Sequence, residues 1–211
     1  LQSPVQPTPS HNGPQPVQQH STGMDSLERL GRHQRTQRCR LRRLPTQLDI
    51  MSEPKGQILP GSEFGDLLTS VARRCETIVE IGTWRGQGST LCISKGLERP
   101  TQRFWTIEQD LSCWNEARRA YSDPRIRFIN SNAIAVFDEL PPQLDMVLFD
   151  GHDEQTDGEF DLLFPRLRIA ALDDTRERKN RRQRTMLSDL GWKILGDNQT
   201  DRNGWSIFER P

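Results

Sequence analysis

No apolar run in this chain is long enough to cross a membrane, and its polar amino terminus lacks the hydrophobic stretch of a secretory signal. Both absences point to a soluble protein of the cytoplasm with no membrane partner. Cysteine is sparse and unpaired in spacing. Cys39, Cys75, Cys92 and Cys113 form no C-x-x-C pair, so reduced thiols are expected, with neither a zinc site nor a disulfide framework. Net charge is missing as well, since 29 basic and 29 acidic residues cancel formally. Only local clusters of charge remain. Arg32, Arg35, Arg38, Arg40, Arg42 and Arg43 form a run that could neutralise the phosphates of a nucleic acid, and that reads more simply as a solvated linker or short helix. Arg176, Arg178, Lys179, Arg181, Arg182 and Arg184 form a second cluster. It reads as a solvated helix face in preference to an anionic-substrate site.

Large apolar side chains are nearly absent from residues 1–24, where Gln, Pro, Ser and His predominate. Such a composition cannot bury enough surface to offset the entropy of ordering. The 211 residues therefore divide into a disordered tail at 1–24, a basic linker or short helix at 25–56, and one domain at 57–211. Met24 and Met51 are alternative starts.

Within that domain the richest segment is Val79-Glu80-Ile81-Gly82-Thr83-Trp84-Arg85-Gly86-Gln87-Gly88-Ser89-Thr90, an apolar strand that ends in a carboxylate and breaks into a glycine-rich loop. Glycine suits a tight strand-to-helix turn on which a ligand lies directly against backbone. The dinucleotide pattern G-x-G-x-x-G is not met, because the window Gly86–Leu91 ends in leucine, so diphosphate binding is disfavoured. The spacing E-x-G-x-x-x-G-x-G instead resembles motif I of class I S-adenosylmethionine-dependent methyltransferases. A second strand, Phe104 to Glu108, ends in acid roughly twenty residues further on, where Rossmann-like sheets place the ligand of the ribose hydroxyls. Asp110 suits the N-cap of the helix after it.

From Gln57 onward, helical and strand signals alternate, as in a doubly wound α/β domain. Phe64, Leu67, Leu68 and Val71 give one apolar helix face. Strands are expected at 77–81, 104–108, 125–130, 144–150 and 169–174. Gly191–Leu195 and Trp205–Glu209 form a terminal antiparallel hairpin. The expected fold is thus a Rossmann-like, doubly wound, mostly parallel sheet with an antiparallel C-terminal hairpin strand. Strands four and five close on Asp150 and on Asp173-Asp174. In open parallel sheets such ends meet above the ligand crevice, where like charges repel unless compensated. Mg²⁺ or a similar divalent cation is the economical compensation.

Together these signals resemble the metal-dependent small-molecule O-methyltransferases, the group of catechol O-methyltransferase, the macrolide-sugar O-methyltransferases and the cephalosporin hydroxylase-like proteins. The resemblance runs from about Gln57 to the end. It implies S-adenosylmethionine as cofactor, with Glu80, Gly82, Gly86, Gly88 and Ser89 around its aminoacyl end, Trp84 packed nearby, Glu108 on the ribose, and Asn132 and Ala133 at the adenine. It implies that Asp150, Asp173 and Asp174 hold the metal, which would bind the hydroxyl of a small acceptor and orient it toward the methyl group. Catechol-type enzymes carry a lysine three residues after the first metal aspartate; here that position is Asp153, and His152 is the substitute base. The proline-glycine-glycine turn before strand five is absent, which puts Asp173 and Asp174 in doubt. No substrate-capping insertion follows, so acceptor recognition falls to the region before Gln57, the basic helix or a second copy of the chain. An RNA or protein acceptor is less favoured than a small one. A catalytically inactive nucleoside-binding or nucleic-acid-associated module is the alternative reading, and a nicotinamide oxidoreductase is opposed by the missing glycine.

Overall fold

The structure, a computed structural model, describes residues 56–211. The tail, the basic run at 32–43, Cys39 and both alternative starts lie outside the described residues. Seven strands form one sheet: β1 (Thr77–Ile81), β2 (Arg103–Glu108), β3 (Ile126–Asn130), β4 (Leu144–Phe149), β5 (Leu167–Asp173), β6 (Lys193–Asn198) and β7 (Trp205–Glu209). Their spatial order is β3-β2-β1-β4-β5-β7-β6. The first five are parallel, and β7 lies antiparallel between β5 and β6. Strand order therefore reverses between β1 and β4, and the crevice at such a reversal is where open α/β sheets bind ligands.

Alternation along the strands divides the core between two faces. Ile78 and Met146 pack with the helix α1 (Glu63–Arg73), while their neighbours Val79 and Val147 belong to the core on the opposite face. All four are fully buried, which is why the central strands read as unbroken apolar runs. Helix α1 starts where Ser62 accepts a hydrogen bond from the Gly65 N–H at 3.1 Å. It buries Phe64, Leu68 and Val71, and the Phe64 ring stacks on Trp205 of β7 with centroids 4.8 Å apart. That contact pins the C-terminal hairpin to the first helix of the domain.

Helices α2 (Ser89–Lys95), α3 (Leu111–Ala120), α4 (Thr156–Leu163) and α5 (Arg178–Asp189) complete the layers. Asp110 caps α3 by accepting from the Cys113 N–H at 2.7 Å, as its position in the sequence suggests. The missing turn before β5 is replaced by a 3₁₀ turn, Phe164–Arg166, that leads from α4 straight into the strand. Arg210 braces this turn by donating to the Phe164 and Pro165 carbonyls. The shortened connection preserves the register: Phe149 of β4 stands opposite Leu172 of β5, so Asp150 and Asp173 emerge side by side. Cys75 and Cys92 are buried thiols and Cys113 is half-buried; no disulfide joins them. Among the described residues no helix is long and apolar enough to cross a membrane.

Phe64→Ala removes the stacking partner of Trp205 from a fully packed site and is expected to cost about 3–5 kcal/mol in denaturant unfolding. Leu111→Ala, at a position 58% exposed, is expected to stay within about 0.5 kcal/mol of wild type.

Candidate active site

The glycine-rich loop is held from below. Glu80, wholly buried, accepts hydrogen bonds from the hydroxyls of Ser89 at 2.6 Å, Thr90 at 2.7 Å and Thr106 at 2.6 Å. One carboxylate thereby ties β1 to β2 and to the first turn of α2. Burial pushes its pKa up to about 7, against the pull of the three hydroxyls. Gly82 has φ +97°, and a Cβ there would lie 2.3 Å from the Asp150 carbonyl oxygen. No other residue allows β1 and β4 to approach so closely at their ends. Gly86 has φ +73°, and its carbonyl accepts the Tyr121 hydroxyl. Trp84, also left-handed at φ 49°, exposes its ring at the rim of the loop.

Glu108 lies across the crevice at the end of β2. Its Oε2 accepts the Trp84 N–H at 2.7 Å and its Oε1 accepts the Asp110 N–H at 2.8 Å. Each oxygen keeps further lone-pair capacity. The carboxylate is thus fixed in direction before any ligand arrives.

On the opposite side Asp150, Asp173 and Asp174 bring carboxylate oxygens within 4.8 Å of one another. The doubt that the short connection cast on Asp173 and Asp174 is removed by the β4–β5 register. Asp174 turns back at φ 55°, a conformation that Asp tolerates better than most residues. The acids do not face each other alone. Lys179 Nζ donates to Asp150 Oδ1 at 2.6 Å and to Asp174 Oδ2 at 3.1 Å. Arg202, from the β6–β7 turn, meets Asp173 Oδ1 at 2.7 Å. Burial pushes Asp150 up to about 7, with Lys179 opposing it and Asp173 adding to it, and burial also raises Asp173. Burial works against the Lys179 ammonium, but the pairs with Asp150 and Asp174 outweigh it and hold its pKa above the usual range.

Three carboxylates are the right donor set for a hard divalent cation. Lys179, however, already stands between two of them, and Arg202 neutralises the third. The residues present do not fit a metal ion while Lys179 keeps this position.

A cavity of about 670 Å³ joins the two sides. Gly82, Trp84, Gly88 and Ser89 line it from the loop, Glu108 from β2, and Asn132 from the segment after β3. Asp150, His152, Asp173 and Asp174 line its far end. Glu80, Gly86 and Ala133 do not line it: Glu80 is spent on the loop's support, Gly86 packs against Ala117 and Tyr121, and Ala133 is buried in the core.

Three further residues matter, none of which the sequence reading placed at the site. Lys179 is not part of a solvated face: only 6% of its side chain is exposed. Asn180 beside it donates to the Phe149 carbonyl at 2.9 Å and the Asp173 carbonyl at 2.5 Å, which clamps the ends of β4 and β5. Glu159 on α4 lines the cavity with both carboxylate oxygens buried, close to the Ala133 backbone N–H. Burial raises its pKa. The one available signal for Lys179 and Asn180 is their place in the first turn of a helix that starts just beyond a strand end.

Glu80 makes stability depend on pH. Its pKa rises from 4.5 unfolded to about 7 folded, so the folded state holds its proton more tightly. Its contribution is fully present below pH 4.5 and is lost as pH rises through 7, on the order of 3 kcal/mol in all. Glu80→Gln is expected to flatten the fall in Tm between pH 5 and 7.5 in a calorimetric scan. A slope equal to the wild type's contradicts this role.

No protein-family profile and no curated protein matches the chain. Solved structures do. The S-adenosylhomocysteine-bound methyltransferase PaMTH1 of Podospora anserina is similar at 15% identity, TM-score 0.58, over 70% of this chain and 77% of that one. A methyltransferase from Geobacter sulfurreducens is similar at 16% identity, TM-score 0.60, over 73% and 80%. The O-methyltransferase from Bacillus cereus, in complex with S-adenosylhomocysteine, is similar at 17% identity, TM-score 0.56, over 73% and 83%. At these identities the likeness is one of fold, and it agrees with the strand order, the reversal point and the antiparallel β7 described above. The chain is therefore built on the Rossmann-like fold of the class I S-adenosylmethionine-dependent methyltransferases.

Proposed function

We propose that the protein transfers a methyl group from S-adenosylmethionine to a hydroxyl oxygen of a small molecule. The observation that carries this reading is the pre-oriented Glu108 facing a glycine loop across one cavity at the strand-order reversal. Such an acid can accept both ribose hydroxyls without reorganising, which lowers the ordering cost of binding. Structures of similar fold with S-adenosylhomocysteine bound support the same cofactor.

Gly82, Gly88 and Ser89 receive the aminoacyl end, with Trp84 at the rim. Asn132 stands at the adenine end. Glu159, a buried acceptor on the cavity wall, suits the exocyclic amine of that base. The cofactor supplies an electrophilic methyl carbon and a thioether leaving group. His152 lies on the cavity wall beside Asp150 and takes the acceptor's proton. Glu80, Gly86 and Ala133 act from behind the cavity wall, Glu80 and Gly86 by shaping the loop. The divalent cation implied by the resemblance has no part in this mechanism, because its place is filled by Lys179.

The preferred acceptor is a small hydroxylated molecule, since a buried, mixed-charge pocket end offers no track for a polyanion. The protein works in the cytoplasm, without a membrane partner, and a second copy of the chain is a candidate cover for the open side of the cavity.

Calorimetric titration with S-adenosylhomocysteine tests the reading. Saturable binding is expected, and Glu108→Ala is expected to weaken it about 10- to 100-fold through loss of charge-assisted hydrogen bonds. No binding by the wild type contradicts the proposal.

A further inference from the structure

We infer that Lys179 stands in the place of a divalent cation, so that this site presents its acceptor with an internal ammonium ion instead of a metal. The inference rests on the methyl-transfer reading for its chemistry but not for its geometry. Lys179 Nζ bridges Asp150 at 2.6 Å and Asp174 at 3.1 Å, two of the three carboxylates that would hold a metal here. Lysine is rarely buried unless paired, and here it is paired twice and 94% covered at the side chain, 6% remaining exposed.

The pairing of the acids points the same way. Lys179 holds Asp150 and Asp174, and Arg202 holds Asp173. A divalent ion added to this group meets an ammonium within contact distance and has no unpaired carboxylate to bind. The ion pairs are also fixed from behind. Asn180, next along α5, holds the β4 and β5 ends together through the Phe149 and Asp173 carbonyls, so the backbone that carries Lys179 cannot drift from the acids. Arg202 is set by the β6–β7 turn, where it is itself left-handed at φ 46°.

An ammonium has three N–H donors, and two are used on Asp150 and Asp174. The third has no partner among the described residues, and Lys179 lines the cavity together with His152. That free N–H is available to the acceptor oxygen. As the oxygen bonds to the methyl carbon, the carbon–sulfur bond breaks with its electron pair going to sulfur, and the hydroxyl proton passes to the His152 imidazole. Lys179 stays protonated throughout and stabilises negative charge on the oxygen, as a Lewis acid does in a metal site.

Mn²⁺ titration of the full chain, followed by the electron paramagnetic resonance signal of the free ion, tests this without any acceptor. The wild type is expected to leave the free-ion signal undiminished. Lys179→Ala, which vacates the bridge between Asp150 and Asp174, is expected to bind one Mn²⁺ per chain at least 10-fold more tightly than the wild type. Lys179→Met keeps most of the buried stem and is measured alongside, so that a folding failure of the alanine variant is not mistaken for a missing site. Stoichiometric Mn²⁺ binding by the wild type overturns the inference, and so does absence of binding by both folded variants. S-adenosylhomocysteine binding, measured on the same samples, reports the nucleoside site separately. Its absence would sink the methyl-transfer reading while leaving the cation result interpretable.

Discussion

Parallel strands that end in register bring their terminal residues together, and here β4 runs directly into Asp150 while β5 ends on Asp173. The crevice can exist only if that negative charge is offset, because carboxylates this close repel and desolvation penalises each one further. Lys179 and Arg202 offset it from two different elements, and Asn180 fixes the spacing of the strand ends. The geometry of the whole cavity follows from this balance: Asp150 is held where its carbonyl leaves room only for Gly82, and Gly82 in turn sets the path of the nucleoside loop. Removing a single member of such a group strands a buried charge, at a cost of about 3–5 kcal/mol.

Much of the fold could be read from the chain. Unbroken apolar strands with acids at their ends, helical segments between most of them, and turn residues before the last two strands were enough to give the parallel sheet and its antiparallel closure. The acids of the site were legible for the same reason, since strand ends in such sheets have only one place to go. The glycine loop was legible as a tight strand-to-helix turn, and Gly82 and Gly86 adopt the positive φ that such a turn requires.

What could not be read was which charges meet. Lys179 sits in a run of six basic residues between 176 and 184, of which composition identifies none as buried. Only the angle of α5 against the sheet turns Lys179 and Asn180 inward and leaves Arg182 outside, paired with Asp161. Arg202 lies in a hairpin turn and reaches Asp173 across 29 residues of sequence. Glu159 is harder still, for one of three acids in an eight-residue helical segment, between Asp157 and Asp161, carries no mark of burial. Glu80 was legible as part of the glycine-loop motif, but the three hydroxyls it receives from Ser89, Thr90 and Thr106 were not.

A crystal structure of the full chain grown with S-adenosylhomocysteine in the presence of Mg²⁺ tests the account most directly. It predicts the ribose hydroxyls on Glu108, and the Lys179 ammonium, with no metal ion, between Asp150 and Asp174. A hexacoordinate ion at that position with Lys179 displaced, or a nucleoside bound elsewhere than in the Gly82–Glu108 crevice, would contradict it.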